Sequence, residues 1–547
     1  MEASVSRVVI LGLDGGTWSV LSSAFERGWM PCLARLWSRS AWGGITSTDP
    51  MITPVAWTSI LTGCSPRVHG IHEFDRIDGD RLRLLPNDAS RIQVPSLWDH
   101  LGSLGLGVVS LNVPMTYPAP PVGIIVGGVD SPDRAKAFHR CPEFETRLAR
   151  ELPTYSHKIT CKRRPETLED LRTTAARCRD GFLAKSQAAR LADAQLGGDW
   201  AAMMVHFHDL DSLQHRLWPE LDVDVPCSRA ESTGVDPAWR AEVASCLRAL
   251  DDAVGELIEF ASTRDAAVVV VSDHGFTACR AIVNVNALLR QGGYQCGQRA
   301  SDHAGRMVAR VSERMGRWCN RHLSGHTTRR NARPIAARVA CDLTRSAAYA
   351  PFGQLSACVM LNPRHTPRGE PGRRLAAEIT EFLADARDPE TNDALFREAY
   401  VTADRLELDP WREGLPELMA HSADGYQAQA KWQLGSGWIQ PDPGLPGTHA
   451  LEGVIAVHAP KIHPGRHGRS SLPDVAPTVL GLLGLPRPHW MEGRVIPWTL
   501  GQDALPLAGS WTAPAPLLVS RATADADADA RHVLSPPSPH RQEDAGG

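Results

Sequence analysis

The sequence predicts an α/β fold in which helices flank a mostly parallel central sheet. Short apolar runs alternate along the chain with amphipathic stretches such as Ala241–Ala261, which is typical of strands separated by helices. Several of the runs are apolar throughout, as expected for strands that are buried on both faces. The predicted strands are Val8–Leu13, Gly107–Leu111, Gly123–Val126, Trp200–Phe207, Ala266–Val271 and Gly453–Val457.

The composition is typical of a soluble globular protein. Of the 547 residues, 43% are hydrophobic and 22% are charged, which excludes a coiled coil or wholesale disorder as the main architecture. The formal charge of -4 gives no overall field that favours nucleic acid or an anionic membrane. The N-terminal apolar run Val8–Leu13 is too short for a signal peptide, and no segment approaches ~18 apolar residues, so we expect no membrane anchor. Twelve cysteines without a CxxC pair fit reduced thiols, and we expect a cytoplasmic protein.

The chain is predicted to contain one discontinuous core and two insertions. We assign the core to residues 1–141, 197–295 and 347–502, and a helical insertion to residues 142–196. Residues 296–346 form a second, arginine-rich insertion with helical spacing of its apolar residues. Both insertions are expected to form a cap over the carboxyl edge of the sheet.

The arginine-rich insertion and the C-terminal segment have unusual compositions. Between Arg299 and Arg345 there are eleven arginines and three acidic residues, which favours a solvated basic helix face over the alternative, an anion-binding lid. Residues 503–547 are rich in Pro, Ala and Asp and contain few large apolar groups. They are predicted to be a disordered tail.

The first candidate functional residue follows the first predicted strand. Gly12, Gly15 and Gly16 do not fit the G-x-G-x-x-G spacing of a dinucleotide site. Asp14 lies where open α/β sheets bind ligands, so it is a candidate metal ligand, with a helix-capping role as the alternative.

Three further motifs carry candidate metal ligands. Asp273 and His274 end the apolar run Ala266–Val271 and can converge on one cation, although a capping Asp beside a core His is the alternative. If the segment after Phe207 is helical, Asp211 and His215 lie on one helix face. His449 lies in a loop rich in Pro and Gly and gains weight only from the other motifs. His206, His208 and Asp209 are either unrelated or support the ligands.

The fifth motif supplies a candidate nucleophile, Thr53. It begins the segment Thr53–Gly63, in which Pro54 indicates the first turn of a helix. A hydroxyl at that end of a helix lies at the positive end of the helix dipole, and a metal would lower its pKa further. Thr46, Ser47 and Thr48 are alternative hydroxyl groups, but the Pro54–Gly63 context does not follow them.

In order and spacing, these motifs resemble the alkaline phosphatase superfamily and, within it, the type I phosphodiesterase/nucleotide pyrophosphatase family. The resemblance covers roughly Val8–Pro497 and includes the segments Ser96–Asp99, Asn112–Pro118 and Pro473–Leu480. It implies an alkaline-phosphatase-like core.

The resemblance also implies a catalytic apparatus. Two divalent metal ions, of which zinc is favoured and manganese or iron is possible, would be held in two sites. The first site would consist of Asp14, Thr53, Asp273 and His274, and the second of Asp211, His215 and His449. Thr53 would be the nucleophile, forming a phosphothreonine intermediate with net retention at phosphorus, and the substrate would be a small phosphoester or phosphoanhydride.

Two departures limit the resemblance. The family's phosphate-binding asparagine is absent between Thr53 and Ile71, so nucleotide specificity is not implied. The segment Cys64–Arg67 lacks the spacing of a sulfatase, and Cys64 is interpreted as an inert buried thiol. His69 and His72 are interpreted as hydrogen-bonded packing groups. The alternative functions are a phosphotransferase or mutase and a noncatalytic polyanion-binding module.

Overall fold

A computed structural model of the chain describes residues 6–78, 83–158, 161, 163–221, 235–297, 333–334, 339, 341–353, 355–366, 369–406, 415–430, 437–441 and 444–499. All of them belong to one unit, Met1–Thr512. The predicted tail, residues 503–547, lies outside the described residues, and so does most of the predicted arginine-rich insertion, residues 296–346.

Strands and helices alternate through most of the described chain. The strands are β1 (Val8–Leu13), β2 (Ala41–Thr46), β3 (Asp75–Asp78), β4 (Arg83–Pro86), β5 (Val108–Val113), β6 (Ile124–Gly127), β7 (Ala202–Phe207), β8 (Ala267–Val271), β9 (Gly275–Ala278), β10 (Ala281–Asn284), β11 (Arg333–Pro334), β12 (Ala348–Phe352), β13 (Ser356–Leu361), β14 (Phe396–Val401), β15 (Leu418–Ser422), β16 (Tyr426–Gln429), β17 (Ile439–Pro441), β18 (Gly447–Ala450), β19 (Glu452–His458), β20 (Gly465–Arg466) and β21 (Ser470–Ser471). The helices are α1 (Trp18–Glu26), α2 (Pro31–Trp37), α3 (Thr53–Thr62), α4 (Pro66–His69), α5 (Leu97–Ser103), α6 (Arg134–Ala137), α7 (Pro142–Glu151), α8 (Leu168–Gln195), α9 (Asp209–Leu217), α10 (Pro237–Thr263), α11 (Val285–Gln291), α12 (Glu370–Ala384), α13 (Thr402–Leu406) and α14 (Val475–Leu482). None of the helices in the described residues is long and apolar enough to cross a membrane.

A nine-stranded sheet forms the centre of the fold, in the order β20-β2-β19-β8-β1-β7-β5-β6, with β21 also paired to β2. Strands β8, β1, β7, β5 and β6 run parallel to one another, whereas β19 is antiparallel to both β8 and β2. All six predicted strands lie in this sheet, and the predicted α/β class is confirmed. Strand β2 was not predicted, because its two glycines interrupt the apolar pattern.

The central sheet is buried on both faces, as the continuous apolar runs predict. Along β1, Val9 and Leu11 belong to the core that also includes α8 and α10, whereas Val8 and Ile10 belong to the core that includes α3, α5 and α14. The side chains alternate because successive residues of a strand point to opposite faces. Helices cover both faces of the sheet. Polar functional side chains therefore lie at the ends of the strands.

The segment 142–196 is helical as predicted for most of its length, in α7 and α8. Its long helix, α8, shares a core with β1 and β7, and the rings of Phe182 and Phe207 lie 6.0 Å apart. The reason is a buried stripe along α8 that includes Leu171, Ala175 and Cys178. The helix therefore belongs to the layer that flanks the sheet. The part of the segment between α7 and α8 lies at the carboxyl edge, where the Tyr155 hydroxyl donates to Asn112 Oδ1 and Arg164 donates to the carbonyl oxygen of Arg216 on α9.

A second, smaller sheet lies in the later part of the chain. It has the antiparallel order β12-β13-β15-β14. Helices α11 and α12 share one of its cores, and the hairpin β3–β4 shares the other. A small apolar cluster that includes Ile52, Val55 and Leu355 joins this part of the molecule to the start of α3. The sequence analysis did not predict this sheet, because its strands lack long continuous apolar runs.

Candidate metal centre

The candidate ligands follow three neighbouring strands of the central sheet. Asp14 follows β1, Asp273 and His274 follow β8, and Asp211 and His215 lie on α9, which begins two residues after the end of β7. Because β8, β1 and β7 are adjacent and parallel, their carboxyl ends meet at one edge of the sheet. The structure therefore brings these predicted residues together.

Asp14 does not cap a helix, which was the alternative interpretation. Helix α1 begins at Trp18, and its N-cap residue is Thr17. The Asp14 side chain is fully buried at the end of β1. Its position is therefore not that of a capping group.

Asp14, Asp273 and His274 form the first cluster. His274 Nε2 lies 3.5 Å from Asp14 Oδ1 and 3.2 Å from Asp273 Oδ2, and all three residues are fully buried. Within the described part of the chain, none of these three atoms has a hydrogen-bond partner. Buried polar atoms without a partner each cost about 1–3 kcal/mol, so the cluster calls for a group that satisfies all three.

Asp211, His215 and His449 form the second cluster. Asp211 Oδ1 lies 3.1 Å from His449 Nε2 and 3.4 Å from His215 Nε2, and the two imidazole Nε2 atoms lie 3.0 Å apart. The segment carrying Asp211 and His215 is helical, as their spacing required. The ring of His449 stacks on that of His274 with centroids 3.5 Å apart, so the two clusters adjoin.

The three histidines of the two clusters share one hydrogen-bonding arrangement. Each Nδ1 lies near a backbone carbonyl oxygen: His215 at 2.9 Å from Gly447, His274 at 3.0 Å from Gly275, and His449 at 2.9 Å from Met51. A carbonyl oxygen only accepts, so each Nδ1 carries a proton, and Nε2 of a neutral ring then presents a lone pair.

These lone pairs point at other acceptors. Burial lowers the pKa of His274 to about 3 and that of His215 to about 4, so both rings are neutral near pH 7. Lone pairs facing carboxylate oxygens or one another at about 3 Å repel unless a cation lies between them. The residues present therefore fit divalent cations that accept nitrogen and oxygen ligands, and zinc is one of these.

The buried carboxylates give the centre a strong negative potential. Burial, together with the negative charge of Asp14, raises the pKa of Asp273 well above its usual range. Burial acts on Asp14 in the same direction, but the charge of His208 and the hydrogen bonds from His206 and His208 outweigh it and hold the pKa of Asp14 well below its usual range. Positive charge at this edge of the sheet would relieve the repulsion among the carboxylates.

Three nitrogen atoms surround the second oxygen of Asp14. His208 Nδ1, His206 Nε2 and Trp57 Nε1 lie 2.6, 3.0 and 3.3 Å from Asp14 Oδ2. Sequence analysis left open whether His206 and His208 support the ligands, and the structure places both on Asp14. Trp57 was not singled out, because a tryptophan in an apolar helix looks like an ordinary core residue.

Thr53 is the first residue of α3 and is 4% exposed. The segment around it is attached to both clusters. His449 Nδ1 donates to the carbonyl oxygen of Met51, and Trp57 Nε1 donates to Asp14 Oδ2. The two contacts lie on either side of Thr53 in the sequence. The positive end of the helix dipole coincides with the Thr53 residue.

His449 lies on a short strand rather than in the loop that the sequence suggested. Strand β18 pairs with β9, with His449 opposite Phe276. A Cβ atom at Gly447 would lie 2.2 Å from the carbonyl oxygen of Gln214 on α9. The glycine therefore permits the close approach that brings β18, and with it His449, to α9.

His69, interpreted as a packing group, and Cys64, interpreted as a buried thiol, both lie in the interior, whereas His72 is half-buried. His69 is fully buried, with Nε2 2.9 Å from Ser59 Oγ and Nδ1 accepting from the Ile71 amide. Cys64 is a buried free thiol, and burial raises its pKa to about 11. Neither belongs to the two clusters.

Solved structures similar to this chain include phosphonoacetate hydrolase from Sinorhizobium meliloti 1021 in complex with phosphonoacetate. It is 15% identical with a TM-score of 0.49, over 87% of this chain and 95% of that one. Murine ectonucleotide pyrophosphatase/phosphodiesterase 5 is 14% identical with a TM-score of 0.48, over 90% of this chain and 100% of that one. An inactive form of the same murine protein in complex with AMP is also similar, with 14% identity and a TM-score of 0.48, over 90% of this chain and 98% of that one. A comparison with curated protein sequences finds no match.

The family comparison covers most of the chain. A sequence model described as type I phosphodiesterase / nucleotide pyrophosphatase matches residues 8–446. The matched range includes Asp14, Thr53, Asp211, Asp273 and His274, and His449 lies just beyond it. The chain therefore belongs to the type I phosphodiesterase / nucleotide pyrophosphatase family, and the predicted metal-dependent phosphoric ester hydrolase is confirmed at that level.

Proposed function

We propose that the protein is a two-metal phosphohydrolase that cleaves a phosphodiester or phosphoanhydride through a phosphothreonine at Thr53. Asp14, Asp273 and His274, together with the Thr53 hydroxyl, would hold the first metal ion. Asp211, His215 and His449 would hold the second. The unpartnered ligand atoms of the first cluster and the lone pairs of the three histidines support this assignment.

Zinc is the metal that we propose, because the ligand atoms are nitrogen and oxygen and include no thiolate. Two such ions would lower the pKa of the attacking hydroxyl and neutralise charge that develops on the phosphoryl oxygens. Family membership supports a pair of metal ions. The proposed substrates are small phosphoesters or phosphoanhydrides.

Thr53 is the proposed nucleophile, and two features of the backbone around it favour that role. It occupies the first position of α3, so the helix dipole favours the negative charge that forms on its oxygen. Pro54 fixes the backbone of the first turn. The phosphoryl group would move to Thr53 Oγ1 as the leaving oxygen departs, and water would then attack phosphorus and release the threonine oxygen.

The observation that carries this proposal is the attachment of the Thr53 segment to both clusters. Met51 accepts from His449, and Trp57 donates to Asp14, within one turn of the helix start. A nucleophile held between two groups of metal ligands is the arrangement that phosphoryl transfer requires, since positioning and charge stabilisation supply most of the rate.

The test is the turnover of bis-p-nitrophenyl phosphate and p-nitrophenyl phosphate by purified protein with measured metal content. We expect Thr53→Ala to lower the rate at least about 100-fold while the protein retains metal. Thr58→Ala is a matched control on the same helix, since Thr58 Oγ1 donates only to the carbonyl oxygen of Pro54. Wild-type turnover in Thr53→Ala would assign the nucleophile to another residue. Product analysis with excess alcohol separates hydrolysis from phosphotransfer.

A further inference from the structure

We propose that His421, on the second sheet, is a positioning residue for Thr53 and acts through Asp49. The inference rests on the proposed role of Thr53 as nucleophile. Neither His421 nor Asp49 belongs to the two candidate metal clusters. Their contact joins the smaller sheet to the loop that leads into α3.

The loop before Thr53 is held at every second residue. Ser47 Oγ donates to the carbonyl oxygen of Asp273 at 2.6 Å, and the carbonyl oxygen of Met51 accepts from His449 at 2.9 Å. Between them, Asp49 Oδ2 lies 2.5 Å from His421 Nε2. The outer two contacts attach the loop to the candidate ligands, whereas the middle one attaches it to the second sheet.

The imidazole of His421 is itself fixed by its surroundings. It is fully buried on β15, and Ser356 lies directly opposite on β13, with its Oγ 2.9 Å from His421 Nδ1. The hydroxyl of Tyr400, on β14, lies 2.9 Å from His421 Nε2 and 3.4 Å from Asp49 Oδ2. Three strands of one sheet therefore orient a single ring towards Asp49.

One assignment of protons satisfies all of these groups. Ser356 donates to Nδ1, Nε2 donates to Asp49 Oδ2, and the Tyr400 hydroxyl donates to the same oxygen. The other oxygen, Asp49 Oδ1, is buried and has no hydrogen-bond partner among the described residues. The carboxylate thus depends on its contacts with His421 and Tyr400.

Serine, histidine and aspartate also form nucleophilic triads, but this set does not. Ser356, the first residue of β13, is 1% exposed, so no substrate can reach its hydroxyl. The serine therefore orients the imidazole, and the imidazole orients Asp49.

An apolar contact runs beside the polar one. Leu355, which precedes Ser356, packs with Ile52 and Val55 on either side of Thr53. The second sheet thus touches the start of α3 at two places. Small displacements of an attacking atom are costly in phosphoryl transfer, since a misplacement of about 1 Å can slow a reaction about 100-fold.

The test is a double-mutant cycle in kcat with His421→Leu, Asp49→Ala and the two combined, on metal-loaded enzyme. We expect each single change to lower kcat about 10- to 100-fold with KM changed less than about threefold, and the double variant to lose no more than the single ones. Metal content should stay at the wild-type value. His421→Gln, which keeps a donor for Asp49, should recover most of kcat.

Several outcomes would overturn the inference. They are a wild-type kcat in His421→Leu, losses that multiply in the double variant, or loss of metal in His421→Leu. His458→Leu, the same exchange at a half-buried residue at the far end of β19, controls for the substitution itself, and His421→Gln serves if His421→Leu does not fold. Thr53→Ala is measured in parallel: if it retains turnover, the proposed function fails, whereas a dead Thr53→Ala beside a fully active His421→Leu rejects only the role of His421.

Discussion

At the scale of single residues, several side chains of the centre use one polar atom for a hydrogen bond and leave the other towards the centre. Backbone carbonyl oxygens hold the Nδ1 atoms of His215, His274 and His449, which leaves the three Nε2 atoms for a cation. Asp14 is divided in the same way, since its Oδ2 faces His206, His208 and Trp57 while its Oδ1 has no partner in the described chain. Hydrogen bonds to groups outside the two clusters therefore determine which ligand atoms face a metal ion.

His206 tests this interpretation of Asp14. We expect His206→Ala to weaken metal binding about 10- to 100-fold, because the group that orients a ligand contributes to affinity as the ligand does. Competition with a chromogenic chelator measures the change. His69→Ala is the matched control, since His69 is equally buried but bonds to Ser59 and Ile71. An unchanged affinity in His206→Ala would contradict the role given to this residue.

At the scale of elements, one close approach shapes the centre, and one ion pair joins two helices of a flanking layer. Strand β18 reaches α9 only because residue 447 has no side chain. Helices α8 and α10, on the far side of the sheet from α3, are tied together at their ends by Asp193 and Arg264, with Arg264 Nη2 2.6 Å from Asp193 Oδ2. Each contact leads to a prediction.

Gly447→Ala should move β18 away from α9 and separate His449 from Asp211. We expect a loss of about 1–3 kcal/mol in the free energy of unfolding and lower occupancy of the second metal ion. Thermal unfolding and metal analysis measure the two effects. Gly468→Ala is the control, because a Cβ atom there meets no other atom within 4 Å. Full metal content in Gly447→Ala would show that the strand tolerates the shift.

The contact between α8 and α10 should depend on pH. Burial raises the pKa of Asp193, but hydrogen bonds from Arg264 and Trp200 outweigh burial and lower it below its usual value. A lowered pKa in the folded state stabilises the fold above the pKa of the unfolded chain, and this stabilisation is lost as the pH falls through the folded value. Asp193→Ala should therefore cost about 1–3 kcal/mol at pH 7 and progressively less below about pH 4. Urea unfolding of wild type, Asp193→Ala and the exposed-site control Asp180→Ala measures this, and a cost that does not vary with pH argues against the ion pair as its source.

The parts of the fold that the sequence predicted share one physical property. The six predicted strands are buried on both faces, so their residues are apolar apart from Ser110 and His206. Strand β18 was taken for a loop because Pro446 and Gly447 stand at its start, although Gly447 is there for its small size. Six of the seven candidate ligands could be named because they lie in or next to a recognisable strand or helix pattern, whereas His449 gained weight only from the other motifs. The contact of His421 with Asp49 could not be predicted from the sequence, because it joins two distant segments and neither residue belongs to a recognisable motif.

At the scale of the whole molecule, the proposed reaction has a stereochemical signature. Transfer to Thr53 and then to water inverts phosphorus twice, so we expect net retention. Hydrolysis of a chiral phosphorothioate diester in oxygen-18 water, followed by phosphorus NMR of the product, measures the outcome. Net inversion would indicate direct attack by water and would remove Thr53 from the reaction path.

The order of the ligands along the chain sets an order of assembly. Asp14, Asp273 and His274 have all been synthesised long before His449, which is carried on β18. Asp14, Asp273 and His274 can therefore come together in a nascent chain before His449, a member of the second cluster, has been synthesised. Under the proposed assignment, the second cluster can bind its ion with all three ligands only after β18 has been synthesised.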